Sequence, residues 1–370
     1  MMKKKRIIIS GGGTGGHIFP ALSIANALKE KDNNIEFLFI GANGKMEMKR
    51  VPEAGYKIKG LPVAGLNRSF SFSNLKLPFK VINSIHIAKK IIKEFKPDVV
   101  VGVGGFASAP TLWSAQRLNI PCLIQEQNSY AGLTNKTLAK HVQKICVAYK
   151  GMSKFFPEEK IIFTGNPIRK EIRQYNQDDK KEGFKFYNLD PDKKCIFVVG
   201  GSLGCRTLND SVRQWVLDRA SSASYQIIWQ SGQYYKTEVD NFMAEHKVDN
   251  VKNFAFISRM DLAYAAADII VSRAGAGTIS ELCQAGKATI FVPSPNVAED
   301  HQTHNAMALV NEKAALMVKD NECRAQLFDL VEDLLEHPVK IAEMEKNILS
   351  LAKPNASSNI ADEVLKLINK

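Results

Sequence analysis

The sequence predicts an α/β protein made of two Rossmann-like domains facing a cleft. Three observations predict it. The chain is 370 residues long, more than one hydrophobic core usually supports. Short β-branched runs alternate with helical patterns in both halves, the mark of parallel sheets covered on both faces. Three of those runs then empty into a glycine-rich turn that opens a helix. Arg6–Ser10 leads into Gly11-Gly12-Gly13-Thr14-Gly15-Gly16-His17, Cys195–Val199 into Gly200-Gly201-Ser202-Leu203-Gly204, and Ala267–Ser272 into Arg273-Ala274-Gly275-Ala276-Gly277-Thr278. Such a turn lets backbone approach a ligand closely, and the following helix aims unpaired N–H groups and a positive dipole at it. Divided between the two halves, these turns point to an enzyme handling phosphate-bearing molecules.

In chain order, the first half reads as strand Ile7–Ser10, helix Ile18–Glu30, strand Ile35–Ile40 and a short helix near Gly44–Ala54. There follow helix Val81–Phe95, strand Asp98–Val103, helix Ala109–Leu118, strand Cys122–Gln125, helix Thr134–Ala139, and strands Lys144–Val147 and Ile161–Thr164. Pro97 and Pro121 stand where loops turn into strands. Gly165-Asn166-Pro167 and the polar stretch Arg169–Lys194 mark a domain boundary, expected to divide the chain into 1–165 and 166–353. The second half repeats the plan, with strands Cys195–Val199, Gln226–Gln230, Val251–Phe256, Ile269–Ser272 and Ala288–Val292. Its helices are Thr207–Arg219, Asp261–Ala266, Thr278–Ala285 and His304–Glu312. A final helix, Ala361–Asn369 within segment 354–370, has the first domain as its candidate docking partner.

Composition narrows the class. Hydrophobic residues at 45% and charged residues at 24% are globular averages and exclude global disorder. The six cysteines contain no CxxC pair, which argues against a zinc site or a disulfide framework. The N-terminal lysines precede an apolar run far too short for a signal peptide, and no stretch approaches the ~18–20 apolar residues of a spanning helix. A soluble or peripheral protein is expected.

The net charge of +12 suggests a polyanionic partner, either nucleic acid or an anionic membrane. Between Asn74 and Lys96 lie Lys76, Lys80, Lys89, Lys90, Lys93 and Lys96 against the single acid Glu94. A Val81/Ile85/Ala88/Ile92/Phe95 stripe is expected to face the core. Phe70, Phe72 and the Leu75–Phe79 hydrophobes are harder to bury, and basic plus apolar surface is what a membrane interface needs. No RNA-binding aromatic motif is visible.

The chemistry-bearing motifs follow from the turns. Gly11-x-Gly13-x-x-Gly16 formally matches the dinucleotide fingerprint, but the second strand ends in Gly41-Ala42 with no acid for a ribose, so a nicotinamide cofactor is poorly supported. A Walker A loop is absent. His17, at a helix start beside a phosphate-sized nest, can donate to an anion, act as a base, or merely cap the turn. Gln125-Glu126-Gln127-Asn128 at a strand end reads as ligand-facing polarity. Glu281 stands one turn into the helix after Arg273–Gly277, where it can grip ribose hydroxyls. His301 and His304 form an HxxH pair, but the cluster lacks a third metal ligand.

Seven motifs appear in order: Gly12–His17, Gly104-Gly105-Phe106, Glu126-Gln127-Asn128 with Ala131–Lys136, Gly165–Arg169, Gly200-Gly201-Ser202-x-Gly204, Arg273-x-Gly275-Ala276-x-Thr278-x-x-Glu281, and Asp300-x-Gln302-x-x-Asn305-Ala306. As an ordered set spanning about residues 6–315, they resemble the MurG family. That family transfers N-acetylglucosamine from its uridine diphosphate donor to lipid I, giving lipid II. The resemblance implies a two-domain GT-B fold, inversion at the anomeric carbon, no metal or other cofactor, and a peripheral place on the inner membrane face. By the same resemblance, Ser202, Ala276, Gly277 and Thr278 would hold the donor diphosphate, Ile257 the uracil, Glu281 the ribose and Gln302 the sugar hydroxyls. Asn128 and Arg169 would complete the donor pocket. Thr14, Gly15, Gly16 and His17, with Gly104, Gly105 and Phe106, would meet the acceptor pyrophosphate, and Thr14, Gly15 and Gly16 also count toward the donor pocket. His17 or Glu126 would take the acceptor's proton. Two departures stand out. Gln125 occupies a position where the family often has histidine, and Phe106 replaces a common tyrosine. A sugar-nucleotide epimerase, a glycolipid glycosyltransferase of the same architecture and a basic nucleic-acid binder are the competing readings.

Overall fold

In the computed structural model, residues 4–63 and 77–369 are described. The chain divides into two units, Met1–Arg169 with Lys353–Lys370, and Lys170–Ala352. The first opens with β1 (Lys5–Ser10), α1 (Gly15–Lys31), β2 (Ile35–Ala42), α2 (Glu47–Glu53), β3 (Ile58–Leu61) and α3 (Leu77–Phe95). It continues through β4 (Val99–Gly102), α4 (Ser108–Arg117), β5 (Cys122–Glu126), α5 (Leu133–Leu138), β6 (Lys144–Val147) and β7 (Ile161–Phe163). Among the described residues the strands form one seven-stranded sheet ordered β3-β2-β1-β4-β5-β6-β7, and its pairings are parallel.

Strand periodicity separates the two faces of this sheet. Ile7, Ile9, Phe37, Phe39, Val99, Val101 and Leu123 pack on one side with Ile24, Ala25 and Leu28 of α1. Ile8, Leu38, Ile40, Val100 and Ile124 pack on the other with Ala88, Ile91 and Ile92 of α3 and with Leu112 of α4. Helix α3 departs from the expected stripe. Ala88, Ile91 and Ile92 are buried, whereas Val81 is exposed with Phe79 and Ile82. Phe70, Phe72, Leu75 and Lys76 lie outside the described residues.

The second unit comprises α6 (Gln177–Tyr187), β8 (Lys194–Val199), α7 (Arg206–Asp218), β9 (Tyr225–Gln230), α8 (Lys236–Glu245), β10 (Val251–Phe254) and α9 (Met260–Ala266). After these come β11 (Ile269–Ser272), α10 (Ala276–Ala285), β12 (Thr289–Phe291), α11 (His301–Val310), β13 (Leu316–Met317), α12 (Cys323–Glu336) and α13 (Pro338–Ser350). Its six-stranded sheet is ordered β10-β9-β8-β11-β12-β13, again parallel. Ile196, Val198, Ile227, Trp229, Ile269 and Val271 face α7 and α12, whose Val212, Trp215, Leu327 and Val331 complete that core.

Several elements were not evident in the sequence. Strand β3, Ile-Lys-Gly-Leu, is a short edge strand of only four residues with a glycine inside it. Helix α6 lies inside the polar boundary stretch, and a capping box decides its start. Asn176 accepts from the Asp178 and Asp179 N–H groups (2.9 and 3.0 Å), and Asp179 accepts from the Asn176 N–H (2.8 Å). Gly183 then seats α6 on α9, since a Cβ there would stand 2.6 Å from the Leu262 carbonyl oxygen.

The last helix, α14 (Ala356–Ile368), belongs to the first unit. Ile360, Ala361, Val364 and Leu367 sink into the α1 face of the sheet beside Ile7 and Val99, and Lys31 pairs with Asp362 at 2.8 Å. The final segment is therefore part of the first core. Ile360→Ala is expected to lower the stability of this unit by about 2–5 kcal/mol, read from the denaturant midpoint at unchanged slope. A shift too small to measure would mean that α14 contributes no core.

Candidate functional site: two glycine-lined switch points

In each unit the strand order reverses beside its first strand, between β1 and β4 and between β8 and β11. Loops leaving the carboxyl ends of neighbouring strands diverge there and leave a crevice, where open α/β sheets bind ligands.

In the first unit, β1 runs into Gly11–Thr14 and β4 into Val103–Ala107. Gly12, Gly13, Gly104 and Gly105 all have φ between 83° and 144°, a region that favours glycine. The two loops touch backbone to backbone, since a Cβ on Gly105 would fall 2.3 Å from the Gly12 carbonyl oxygen. Ser108, at the start of α4, ties them together by donating its hydroxyl to Ser10 O at 2.6 Å. Helix α1 begins at Gly15, with Thr14 at its N-cap in extended conformation. The His17 ring lies against the second loop, where a Cβ on Gly104 would stand 2.9 Å from both Cδ2 and Nε2. Its Nδ1 is 3.2 Å from Thr14 Oγ1. The structure thus brings Thr14, Gly15, Gly16, His17, Gly104 and Gly105 together, and Phe106 stands half exposed on the rim.

The polar cluster at the end of β5 behaves differently from the ligand-facing reading. Gln125, Glu126 and Gln127 are buried. Gln125 donates to Asn166 Oδ1 (2.9 Å) and accepts from Gln127 Nε2, Gln127 also donates to Val103 O (2.8 Å), and Asn166 donates to Gln127 O (2.9 Å). This amide network is the floor beneath the Val103–Gly105 turn, and it holds Gly165–Pro167 against the first unit. Glu126 accepts from the Asn128 N–H (3.0 Å) and side chain (3.3 Å), the Gly132 N–H (3.0 Å) and Asn135 Nδ2 (2.9 Å). Burial pushes its carboxyl above the usual range, and these donors pull it back. Both oxygens are engaged in shaping the 127–135 loop. Asn128 and Arg169 are half-buried.

The second unit builds its crevice from the loops after β8, β9, β10, β11 and β12. Gly204 and Gly232 meet so closely that a Cβ on Gly232 would lie 2.1 Å from the Gly204 Cα. Gln230, which the sequence reading passed over, links three loops. Its Nε2 donates to Gly201 O and its Oε1 accepts from the Ile257 N–H, both at 2.9 Å. Ser202 is exposed at the loop tip. Helix α10 starts at Ala276, with Gly275 at its N-cap in extended conformation, so its first N–H groups lack intrahelical partners. Glu281, one turn in, accepts from the Tyr264 hydroxyl at 3.2 Å. Gln302 accepts from the Ser294 N–H at 2.9 Å. Arg273 braces the edge, donating to Val292 O and Pro293 O (2.9 Å each) and pairing with Asp320 at 2.6 Å.

Thr14, Gly15, Gly16, Asn128 and Arg169 therefore belong to the first unit, and Ser202, Ile257, Ala276, Gly277, Thr278, Glu281 and Gln302 to the second. Among the described residues, no group of three or more His, Cys, Asp or Glu side chains could hold a metal ion.

Residues 7–147 match the glycosyltransferase family 28 N-terminal domain and residues 195–363 its C-terminal domain. A protein of Parabacteroides distasonis named UDP-N-acetylglucosamine--N-acetylmuramyl-(pentapeptide) pyrophosphoryl-undecaprenol N-acetylglucosamine transferase is 51% identical over 369 residues, covering 100% of both chains. The chain belongs to the MurG family. A Phocaeicola vulgatus protein of the same name is 52% identical over 371 residues, covering 100% of this chain and 98% of that one. The crystal structure of Acinetobacter baumannii MurG aligns with a TM-score of 0.78 at 28% identity, over 98% of this chain and 99% of that chain. The two-domain GT-B architecture and an N-acetylglucosaminyltransferase activity follow from that membership. The hydrogen bonds above make Gln230 and the Gln125–Asn166 network the supports of the motif loops. Their sequence signal is faint: polar side chains at or just beyond the ends of largely apolar strands.

Proposed function

We propose that this chain transfers N-acetylglucosamine from its uridine diphosphate donor to the MurNAc 4-hydroxyl of lipid I, producing lipid II. The observation that carries this is identity of about half, end to end, with proteins named for that transfer. The second unit takes the donor. Ser202 and the start of α10, at Ala276, Gly277 and Thr278, receive the diphosphate, Ile257 the uracil, Glu281 the ribose and Gln302 the sugar. The family resemblance assigns Asn128 and Arg169 to the donor as well. The Gly11–Gly16 and Gly104–Phe106 turns receive the acceptor pyrophosphate, and the resemblance also counts Thr14, Gly15 and Gly16 toward the donor.

The reaction is a displacement with inversion. The acceptor oxygen attacks the anomeric carbon, the carbon–oxygen bond to the diphosphate breaks, and the acceptor proton passes to a base. Negative charge grows on the leaving diphosphate. Fixed N–H groups and the dipole at the α10 start meet it without reorganising. His17 is the better placed base, because Glu126 already spends both oxygens on N–H donors. If Nδ1–H donates to Thr14 Oγ1, Nε2 carries the lone pair that accepts the proton. Glu126 then shapes the loop that presents Asn128.

The acceptor's lipid places the enzyme at the cytoplasmic face of the inner membrane. No helix among the described residues is long and apolar enough to cross a membrane. Phe79, Val81 and Ile82 are exposed at the start of α3, near the exposed Lys80, Lys89, Lys90 and Lys93. This surface suits an anionic bilayer, and the +12 charge is assigned to it rather than to nucleic acid.

The deciding assay is release of uridine diphosphate with and without a lipid I analogue. Release that requires the analogue supports the transfer. Acceptor-free conversion of the donor to an isomer would support an epimerase instead. Glu281→Ala is expected to raise the donor KM by about 10–100-fold, the ~1.5–3 kcal/mol of a hydrogen bond to a charged partner, in a protein that still melts cooperatively. An unchanged donor KM would refute the ribose role. His17→Ala is expected to lower kcat by roughly 10²–10⁴-fold, with donor affinity little changed. A kcat close to that of the parent would leave His17 only its turn-capping role. Reversing Lys80, Lys89, Lys90 and Lys93 to glutamate should abolish salt-sensitive binding to anionic vesicles, at about 1 kcal/mol per lysine, and spare activity on a short water-soluble acceptor. Vesicle binding that survives at low salt would move the membrane contact elsewhere.

A further inference from the structure

Glu47, the first residue of α2, is only 1% exposed yet reaches beneath the first glycine loop. Its Oε2 accepts from the Gly13 N–H and its Oε1 from the Ala42 N–H, both at 2.9 Å. The carboxylate fills the space two glycines leave open. A Cβ on Gly12 would stand 2.2 Å from Glu47 Oε1, and one on Gly41 2.5 Å from its Cγ. Gly12 is therefore held between Glu47 on one side and Gly105 on the other.

We propose that Glu47 is a positioning residue for the acceptor, clamping the Gly11–Thr14 turn to the end of β2. Two converging N–H donors need an acceptor with two oxygens, and an ionised carboxylate makes both bonds charge-assisted. Glutamine in the same volume would turn an NH2 toward one of them. The acid missing from the end of β2 as a ribose ligand thus stands five residues later, turned inward onto the loop. Through Gly12 the clamp fixes the seat of the turn on Gly105, and through the turn the start of α1 and the His17 ring against Gly104. Glu47 touches no substrate. This role rests on the reading of the first unit as the acceptor side.

The test uses the full chain, with Glu47→Gln and Glu47→Ala assayed against varied lipid I analogue and varied donor. Loss of one clamp bond and then both should lower kcat/KM for the acceptor by about 10-fold in the glutamine variant and about 100-fold in the alanine variant. Direct binding of uridine diphosphate, assigned to residues of the second unit, should stay within about twofold. A folded Glu47→Ala with parental acceptor kinetics overturns the proposal, as does uridine diphosphate binding that weakens in step with the acceptor constants, which would signal general loosening. If the alanine variant does not fold, the isosteric glutamine variant decides, and failure of both to fold assigns Glu47 to stability alone. If the parent shows no acceptor-dependent release of uridine diphosphate, the functional reading fails instead, whatever the variants do.

Discussion

Parallel strands cannot be joined by a tight turn, so each strand must deliver the chain to the same edge of its sheet and return by a crossover. In this protein that constraint gathers the turns after β1, β4 and β5 at one edge of the first sheet. It does the same for those after β8 through β12 in the second. Neither set of motif residues is local in sequence. Ser202 and Gln302 are a hundred positions apart, yet both follow strands that end on the same edge. The reversal of strand order beside β1 and beside β8 then parts the loops enough for a ligand to enter. The site follows from topology before any side chain is chosen.

What the topology requires next is proximity of backbone to backbone. Gly12 against Gly105 and Gly204 against Gly232 leave no room for a Cβ, so the sequence at these points is dictated by packing as much as by ligand. Around those contacts stands a layer of buried polar groups: Glu47 under the first turn, the Gln125–Gln127–Asn166 amides under the second, and Gln230 spanning Gly201 and Ile257. Glu47, Gln127, Asn166 and Gln230 bond main chain directly, and Gln125 joins Gln127 to Asn166, where an unmatched group would be costly. The loops are thus held in shape from below.

This layering explains what could and could not be read from the chain. The strands, the glycine turns and the helices they open are legible because each is encoded within a few residues, as in Ile7–Ser10 followed by Gly11–Gly16. The family motifs are legible for the same reason. Glu47, Gln230 and the inward face of Gln125–Gln127 are not, since the partners that set their roles, Gly13, Ile257, Val103 and Asn166, lie in other loops well away along the chain. A polar run at a strand end looks alike whether it meets a ligand or supports the loop that does. Helix α6 was hidden because its start depends on a capping box within an otherwise polar stretch. Helix α14 shows its apolar side in sequence, but that it completes the α1 face of the first sheet is a tertiary fact.

The electrostatics of the proposed chemistry follow from the same economy of side chains. Arg273, the cation nearest in sequence to the α10 start, is engaged by Asp320 and by the Val292 and Pro293 carbonyls, so it braces the loop. Under the proposed transfer, charge on a departing diphosphate would fall to the main chain at Ala276–Thr278. A helix dipole is a modest source, worth about 0.3–1 kcal/mol at an exposed site and up to ~2 kcal/mol when partly buried. Its advantage is that it is fixed in advance. Donors already aimed at the developing charge need no reorganisation in the transition state, and here the rigidity that aims them comes from Gly275 at the cap and from the packing of Ala276 and Ile279 below. Transition-state stabilisation under the proposed chemistry would therefore draw on the buried packing of the α10 start itself.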